Sequence, residues 1–196
     1  MYNLENIINE MKERGMKVPV LPPLISIPSG NEVLRQYYKY FIEARGETFI
    51  DRPEYTEIGQ WLENNQHKGL FIYGDVGNGK SQIARLIIPA ILLNYCRTIV
   101  SVYDATELIK KPDEIINKHI LCIDDIGTEA NECVIYGQRR QPMAELLDSA
   151  EKDGKLIIAT SNLNGKELSQ KYGERTFDRI ISTTKRIVFN GSSFRE

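Results

Sequence analysis

The chain has 196 residues, 41% of them hydrophobic, enough for one domain with a sizeable core. A formal net charge of -2, with 27% charged residues, excludes a strongly basic nucleic-acid binder. No apolar run approaches the ~18–20 residues needed to span a membrane, and the first residues lack the continuous apolar core of a signal peptide.

Residues 3–14 place Leu4, Ile7, Ile8 and Met11 at helical spacing, with Gly15 able to end the helix. Four prolines keep 18–31 extended or looped. A second helix is predicted over 31–45, with Asn31 as its cap, and a third over 53–66, with Ile58, Trp61 and Leu62 on its apolar face. From Gly69 onward strands alternate with helices. Strands are predicted at 70–73, 98–103, 119–124, 155–162 and 186–190. Helices are predicted at 80–95, 105–118 (broken at Pro112), 141–154, and in two short pieces between Asn164 and Ser182. This alternation predicts an α/β fold with a five-stranded parallel sheet covered on both faces. Cys96, Cys122 and Cys133 lack CxxC spacing and two lie among apolar residues, as buried, reduced cysteines of a cytoplasmic protein do. His67 and His119 are far apart and lack ligand-like neighbours, so no zinc site is expected.

Between the first strand and its helix, Gly74, Gly79, Lys80 and Ser81 complete the pattern G-x-x-x-x-G-K-[ST]. Glycines let the backbone curl so that successive N–H groups point at phosphate oxygens, and the helix N-terminus adds partial positive charge. The stretch Gly74, Asp75, Val76, Gly77, Asn78, Gly79, Lys80, Ser81 and Gln82 is therefore a candidate loop for ATP or GTP. Lys80 would reach the β- and γ-phosphates, and Ser81 would bind Mg²⁺. The apolar strand ending in Asp124 and Asp125 supplies the carboxylates: Asp124 for the metal, Asp125 to orient or deprotonate the attacking water. Asp125 stands where such ATPases more often carry glutamate, and its shorter reach implies slow hydrolysis. Glu129 is a weaker candidate for that role, better read as a solvated loop acid. Thr160, Ser161 and Asn162 form a polar tip on the fourth strand. Asn162 fits a water-orienting role best, because one amide both donates and accepts, while Asn164 can cap the next helix.

Arg175 and Arg179 lie four apart on one helix face. Residues 171–196 hold six basic against three acidic residues, and 104–133 hold three against eight, an asymmetry that suits head-to-tail packing of copies. Arg179 is the candidate arginine finger, presented to a neighbour's γ-phosphate. The alternative is an intramolecular pair, of Arg179 with Glu174 or Asp178, or of Arg175 with Asp178.

The stretches "GLFIYGDVGNGKS", "LCIDDIGTE", "IIATSNLN", "YGERTFDRI" and "FNGSSFRE" occur in the order found in DnaC-type bacterial helicase loaders, AAA+ ATPases related to the IstB-type transposition ATPases. The resemblance covers about 55–196. It implies a P-loop AAA+ domain at 51–196 with no C-terminal lid domain, and a helical N-terminal extension at 1–50 that grips a partner. It also implies that Arg179 is the arginine finger, that Asn162 senses the γ-phosphate, and that Arg195 sits near nucleotide. The implied cofactors are ATP and Mg²⁺. The implied partners are a hexameric replicative helicase, single-stranded DNA and further copies of the chain, with nucleotide-dependent self-association and no membrane. Lys110 and Lys111, or Arg139 and Arg140, are candidate DNA-backbone contacts. The rival readings are an IstB-like regulator of a transposase and a nucleotide-gated adaptor that hardly hydrolyses. A small-molecule kinase fits poorly, since no insertion provides an acceptor site or closing lid.

Overall fold

The computed structural model describes residues 4–189 except 17 and 19. Five parallel strands form the sheet in the order β2–β3–β6–β1–β7: β1 Gly69–Gly74, β2 Ser101–Asp104, β3 Ile120–Asp124, β6 Leu156–Ser161 and β7 Thr184–Phe189. Among the described residues, this is the α/β, five-stranded parallel sheet expected of a P-loop fold. The strand bearing Asp124 is not next to the phosphate-loop strand. β6 lies between them and brings Thr160, Ser161 and Asn162 into the gap.

Alternation along the strands divides the core into two layers. Leu70, Ile72, Cys122, Leu156, Ile158, Ile187 and Phe189 face one side; Phe71, Leu121, Ile123, Ile157 and Ala159 face the other. The first side is covered by α2 (Gly30–Glu43), α3 (Glu54–Glu63) and the helix after the phosphate loop. The second is covered by α6 (Ala105–Lys110), α7 (Pro112–Ile116), α8 (Pro142–Asp153), α9 (Gly165–Tyr172) and α10 (Glu174–Thr183). α1 (Leu4–Glu13) precedes them, with Ile7 and Ile8 exposed.

The expected boundary at residue 50 cuts through one core. Ile25, Ile27, Val33, Leu34, Tyr38 and Ile42 are buried in the same cluster as the sheet. α2 reaches α3 so closely because a Cβ on Gly30 would meet Gly59 O at 2.4 Å. Asn31 does not cap α2. Ser29 precedes the helix with φ 54°, and Asn31 instead donates to Glu63 Oε1 at 3.4 Å.

The helix after the phosphate loop runs through α4 (Lys80–Gln82), a π-helical turn (Ile83–Ile87) and α5 (Ile88–Cys96). In the wide turn the Ile88 N–H donates to Ile83 O, five residues back, directly before Pro89, which has no N–H to offer. A second sheet, absent from the sequence prediction, is the hairpin β4 (Cys133–Ile135) and β5 (Gln138–Arg140). Tyr136 and Gly137 turn it with φ 50° and 79°, the positive values that a two-residue hairpin turn needs. Of the cysteines only Cys122 is buried; Cys96 is exposed and Cys133 partly so, which corrects the buried reading for Cys96.

Candidate active site

The phosphate loop leaves β1 at Gly74, whose φ is 131° and where a Cβ would meet Phe189 O at 2.1 Å. Gly77 and Gly79 follow at φ 87° and 81°, so the loop repeatedly takes a conformation open to glycine. Lys80 begins the helix and is 5% exposed. Its ammonium donates to the carbonyls of Gly74 at 2.9 Å and Asp75 at 2.6 Å, across the mouth of the loop. Burial lowers its pKa, opposed by the charges of Asp125, Asp75 and Asp124.

Asp124 is buried at the end of β3. The Thr160 hydroxyl donates to its Oδ1 at 2.6 Å, and Arg85 donates to its Oδ2 at 3.2 Å. The same Thr160 oxygen accepts the Asp125 N–H at 2.8 Å. Asp125 has φ 60°, so the chain twists as it leaves the strand, and its side chain lines the same cleft as Lys80 and Ser81. Asn162 Nδ2 donates to Asp125 Oδ1 at 2.7 Å. Burial raises the Asp125 pKa, as does the neighbouring Asp124 charge, while Lys80 and the Asn162 hydrogen bond lower it. Ser161 donates to Ile126 O at 2.6 Å and Ile126 N–H to Thr160 O at 2.8 Å, tying the two strand ends together. Asn164, not Asn162, caps α9, accepting the N–H groups of Lys166 and Glu167.

Glu129 is neither solvated nor in the cleft. It is 3% exposed, accepts the Gly127 N–H at 2.8 Å and the Tyr172 hydroxyl, and so braces the loop behind Asp125. Arg179 pairs with neither Glu174 nor Asp178. It binds Asp148, and Glu151 at 3.2 Å, both on α8, and it does not line the cleft. Arg175 is exposed beside it. Arg195 lies outside the described residues.

The cleft holds about 910 Å³. One end is the phosphate loop with Asp124, Asp125 and Asn162. The other is lined by Tyr38, Ile42, Glu47, Thr48, Phe49, Ile50 and Tyr55. Tyr38 packs edge-on against Phe49 and Tyr55, with centroids 5.8 and 5.2 Å away, and its hydroxyl donates to Gln82 Oε1 at 3.1 Å. The sequence prediction missed this end; its only signal there is the tyrosine-rich α2 and the aromatic at 49. The division into a mainly apolar, aromatic end and an end with loop N–H groups, Lys80 and two carboxylates suits a metal-bound nucleotide, base at one side and phosphates at the other. The donor set fits its metal as well: a hydroxyl at Ser81 and a carboxylate at Asp124 are hard oxygen ligands.

No protein-family profile and no curated protein matches the sequence. Solved structures do match in fold. The chain is similar to the DnaC helicase loader, with TM-score 0.60 and 17% identity over 80% of this chain and 99% of that one. It is also similar to DnaI, with TM-score 0.53 and 21% identity over 65% of this chain and 73% of that one. A third match is AMPPCP-bound DnaA from Aquifex aeolicus, with TM-score 0.51 and 20% identity over 76% of this chain and 50% of that one. The fold expected from the resemblance in the sequence is therefore the fold found.

Proposed function

We propose that the protein is an ATP-hydrolysing AAA+ protein of DNA replication that loads or remodels a hexameric replicative helicase on single-stranded DNA. The observation that carries this reading is the Asp125–Asn162 pair, set in one cleft with Lys80, Ser81 and Asp124. The likeness to the DnaC helicase loader, nearly the whole of which is matched, supports the choice of partner.

In this reading the loop from Gly74 to Gln82 cradles the phosphates with its N–H groups, and Lys80 exchanges its carbonyl partners for phosphate oxygens. Ser81 and Asp124 would hold Mg²⁺, which neutralises phosphate charge. Asp125 receives the proton of the attacking water on its Oδ2, while Asn162 keeps its Oδ1 occupied. The aromatic end takes the base.

Arg179 acts on the nucleotide of a neighbouring copy, since its own cleft does not include it. Self-association then depends on nucleotide, and Arg179 leaves Asp148 and Glu151 when the neighbour docks. The described residues 6–13 of the N-terminal segment, with Ile7 and Ile8 exposed, are offered to the helicase. Single-stranded DNA is met by the β4–β5 hairpin. Arg140 is committed to Asp113 and Glu145, which leaves Arg139 and the fully exposed Tyr136 as the hairpin's contacts, with the exposed Lys110 and Lys111 as the alternative. The protein works in the cytoplasm.

The test is ATP turnover with and without single-stranded DNA, for wild type, Arg179→Ala, and an equimolar mixture of Arg179→Ala with Lys80→Ala. Arg179→Ala is expected to be inactive alone and the mixture to recover activity, because the Lys80→Ala chain supplies its Arg179 to the intact phosphate loop of Arg179→Ala. Wild-type turnover by Arg179→Ala, with no response to DNA, overturns the assembling-loader reading and leaves a nucleotide-gated adaptor.

A further inference from the structure

Arg85 lies in the π-helical turn after the phosphate loop, and no motif in the sequence involves it. Its Nη1 donates to two carboxylates: Asp104 Oδ1, and Asp124 Oδ2 at 3.2 Å. Asp104 ends β2 and Asp124 ends β3. The two are partners in parallel register, so their backbones lie about 4.8 Å apart. Thr160 already holds Asp124 Oδ1. Asp124 is thus gripped at both oxygens with its side chain 9% exposed, while Asp104 is half-exposed at the head of α6.

We propose that Arg85 is a positioning residue of the Mg–nucleotide site. It fixes the Asp124 carboxylate and cancels the charge of Asp104, so that a divalent ion binds only together with nucleotide. This rests on the nucleotide-binding reading above. Three carboxylates, Asp104, Asp124 and Asp125, against the cations Arg85 and Lys80 leave one net negative charge around the strand ends. That is too little to hold a hard cation alone, and it suits one delivered by phosphates that carry the remaining charge. Without the guanidinium, two carboxylates at neighbouring strand ends repel each other and attract a divalent cation unaided.

The experiment measures Mn²⁺ binding to the full chain without nucleotide, by the electron paramagnetic resonance signal of the free ion. Binding of a fluorescent ATP analogue to wild type is followed in parallel. Arg85→Gln is expected to bind Mn²⁺ at least about tenfold more tightly than wild type. Adding Asp104→Asn should return the affinity to about the wild-type value. Arg85→Lys should stay near wild type in Mn²⁺ affinity. Asparagine caps a helix as well as aspartate does, so Asp104→Asn alone keeps α6. That single variant should raise severalfold the Mg²⁺ concentration needed for half-maximal ATP-analogue binding, and it decides the matter if Arg85→Gln does not fold. A folded Arg85→Gln chain with wild-type Mn²⁺ affinity overturns the proposal, and so does an unmoved Mg²⁺ dependence in Asp104→Asn. If wild type binds the analogue while either of these holds, only the role of Arg85 fails. If wild type binds no analogue, the nucleotide reading fails, and the role of Arg85 with it.

Discussion

Asn162 Nδ2 donates to Asp125 Oδ1 at 2.7 Å and joins the end of β6 to the residue that follows β3. The bond stabilises the ionised carboxylate, against burial and the Asp124 charge, which both raise its pKa. The ionised form is the one that accepts a proton, so hydrolysis is lost as pH falls through the raised pKa. Asn162→Ala removes an influence that lowers that pKa. Its kcat plateau should drop about tenfold to hundredfold, and the acid limb of the kcat–pH profile should move to higher pH than in wild type. Steady-state turnover across the acid range checks this. A lower plateau with an unmoved limb would mean that the amide orients water without bearing on Asp125.

Asp125 itself is held at a cost to stability. Its folded pKa lies above the unfolded value, so its contribution to stability is full below the unfolded pKa and is lost as pH rises through the folded one. At neutral pH Asp125→Asn removes like charge beside Asp124. Solvent screens the partly exposed carboxylate, so the expected gain in Tm is small, about 1–3 °C, and it should vanish in acid. Hydrolysis should fall at least about hundredfold while ATP binding persists. Thermal melts at two pH values, read beside ATP binding, check both halves.

The strands and the phosphate loop were legible because their signals are local. "LFIY" alternates across a sheet and the glycines sit between strand and helix, so neither needs a distant partner to be read. Side chains whose role depends on distant residues were not legible. Tyr38 lines the cleft because α2 packs on α3 across the Gly30–Gly59 approach, and Phe49 because it packs on Tyr38 and Tyr55. Arg85 reads as one charge in an apolar helix until β2 and β3 bring Asp104 and Asp124 to it. Spacing offered Glu174 and Asp178 to Arg179, but the packing of α10 on α8 gave it Asp148 and Glu151 instead. The hairpin escaped because each strand has three residues and little is buried, so no apolar alternation marks it.

Thr160 serves two neighbours with one oxygen, donating to Asp124 and accepting from the Asp125 N–H. Thr160→Val keeps the shape and removes both bonds. A buried carboxylate oxygen and a partly buried N–H then lack a partner, each costing about 1–3 kcal/mol. Tm should fall by roughly 5 °C or more, and Thr160→Ser should restore most of the loss. Equal melting of the valine and serine variants would show that the hydroxyl carries no weight in the fold.

The β4–β5 hairpin places Tyr136 fully exposed at its tip, with Val134 opposite Arg139 on the strands below. Arg140 braces its base through Asp113 and Glu145, so the tip is presented on a fixed stem. A base stacked on an aromatic ring contributes about 1–3 kcal/mol, so Tyr136→Ala should weaken binding to a single-stranded oligonucleotide roughly tenfold. Arg139→Ala should weaken it less and lower the slope of log affinity against log salt by about 0.7, as loss of one phosphate contact does on a single strand. Arg140→Ala should lower affinity by loosening the stem and leave the salt slope nearly unchanged. Fluorescence anisotropy over a salt series separates the three. Wild-type affinity in Tyr136→Ala would remove the hairpin from the proposed DNA contacts.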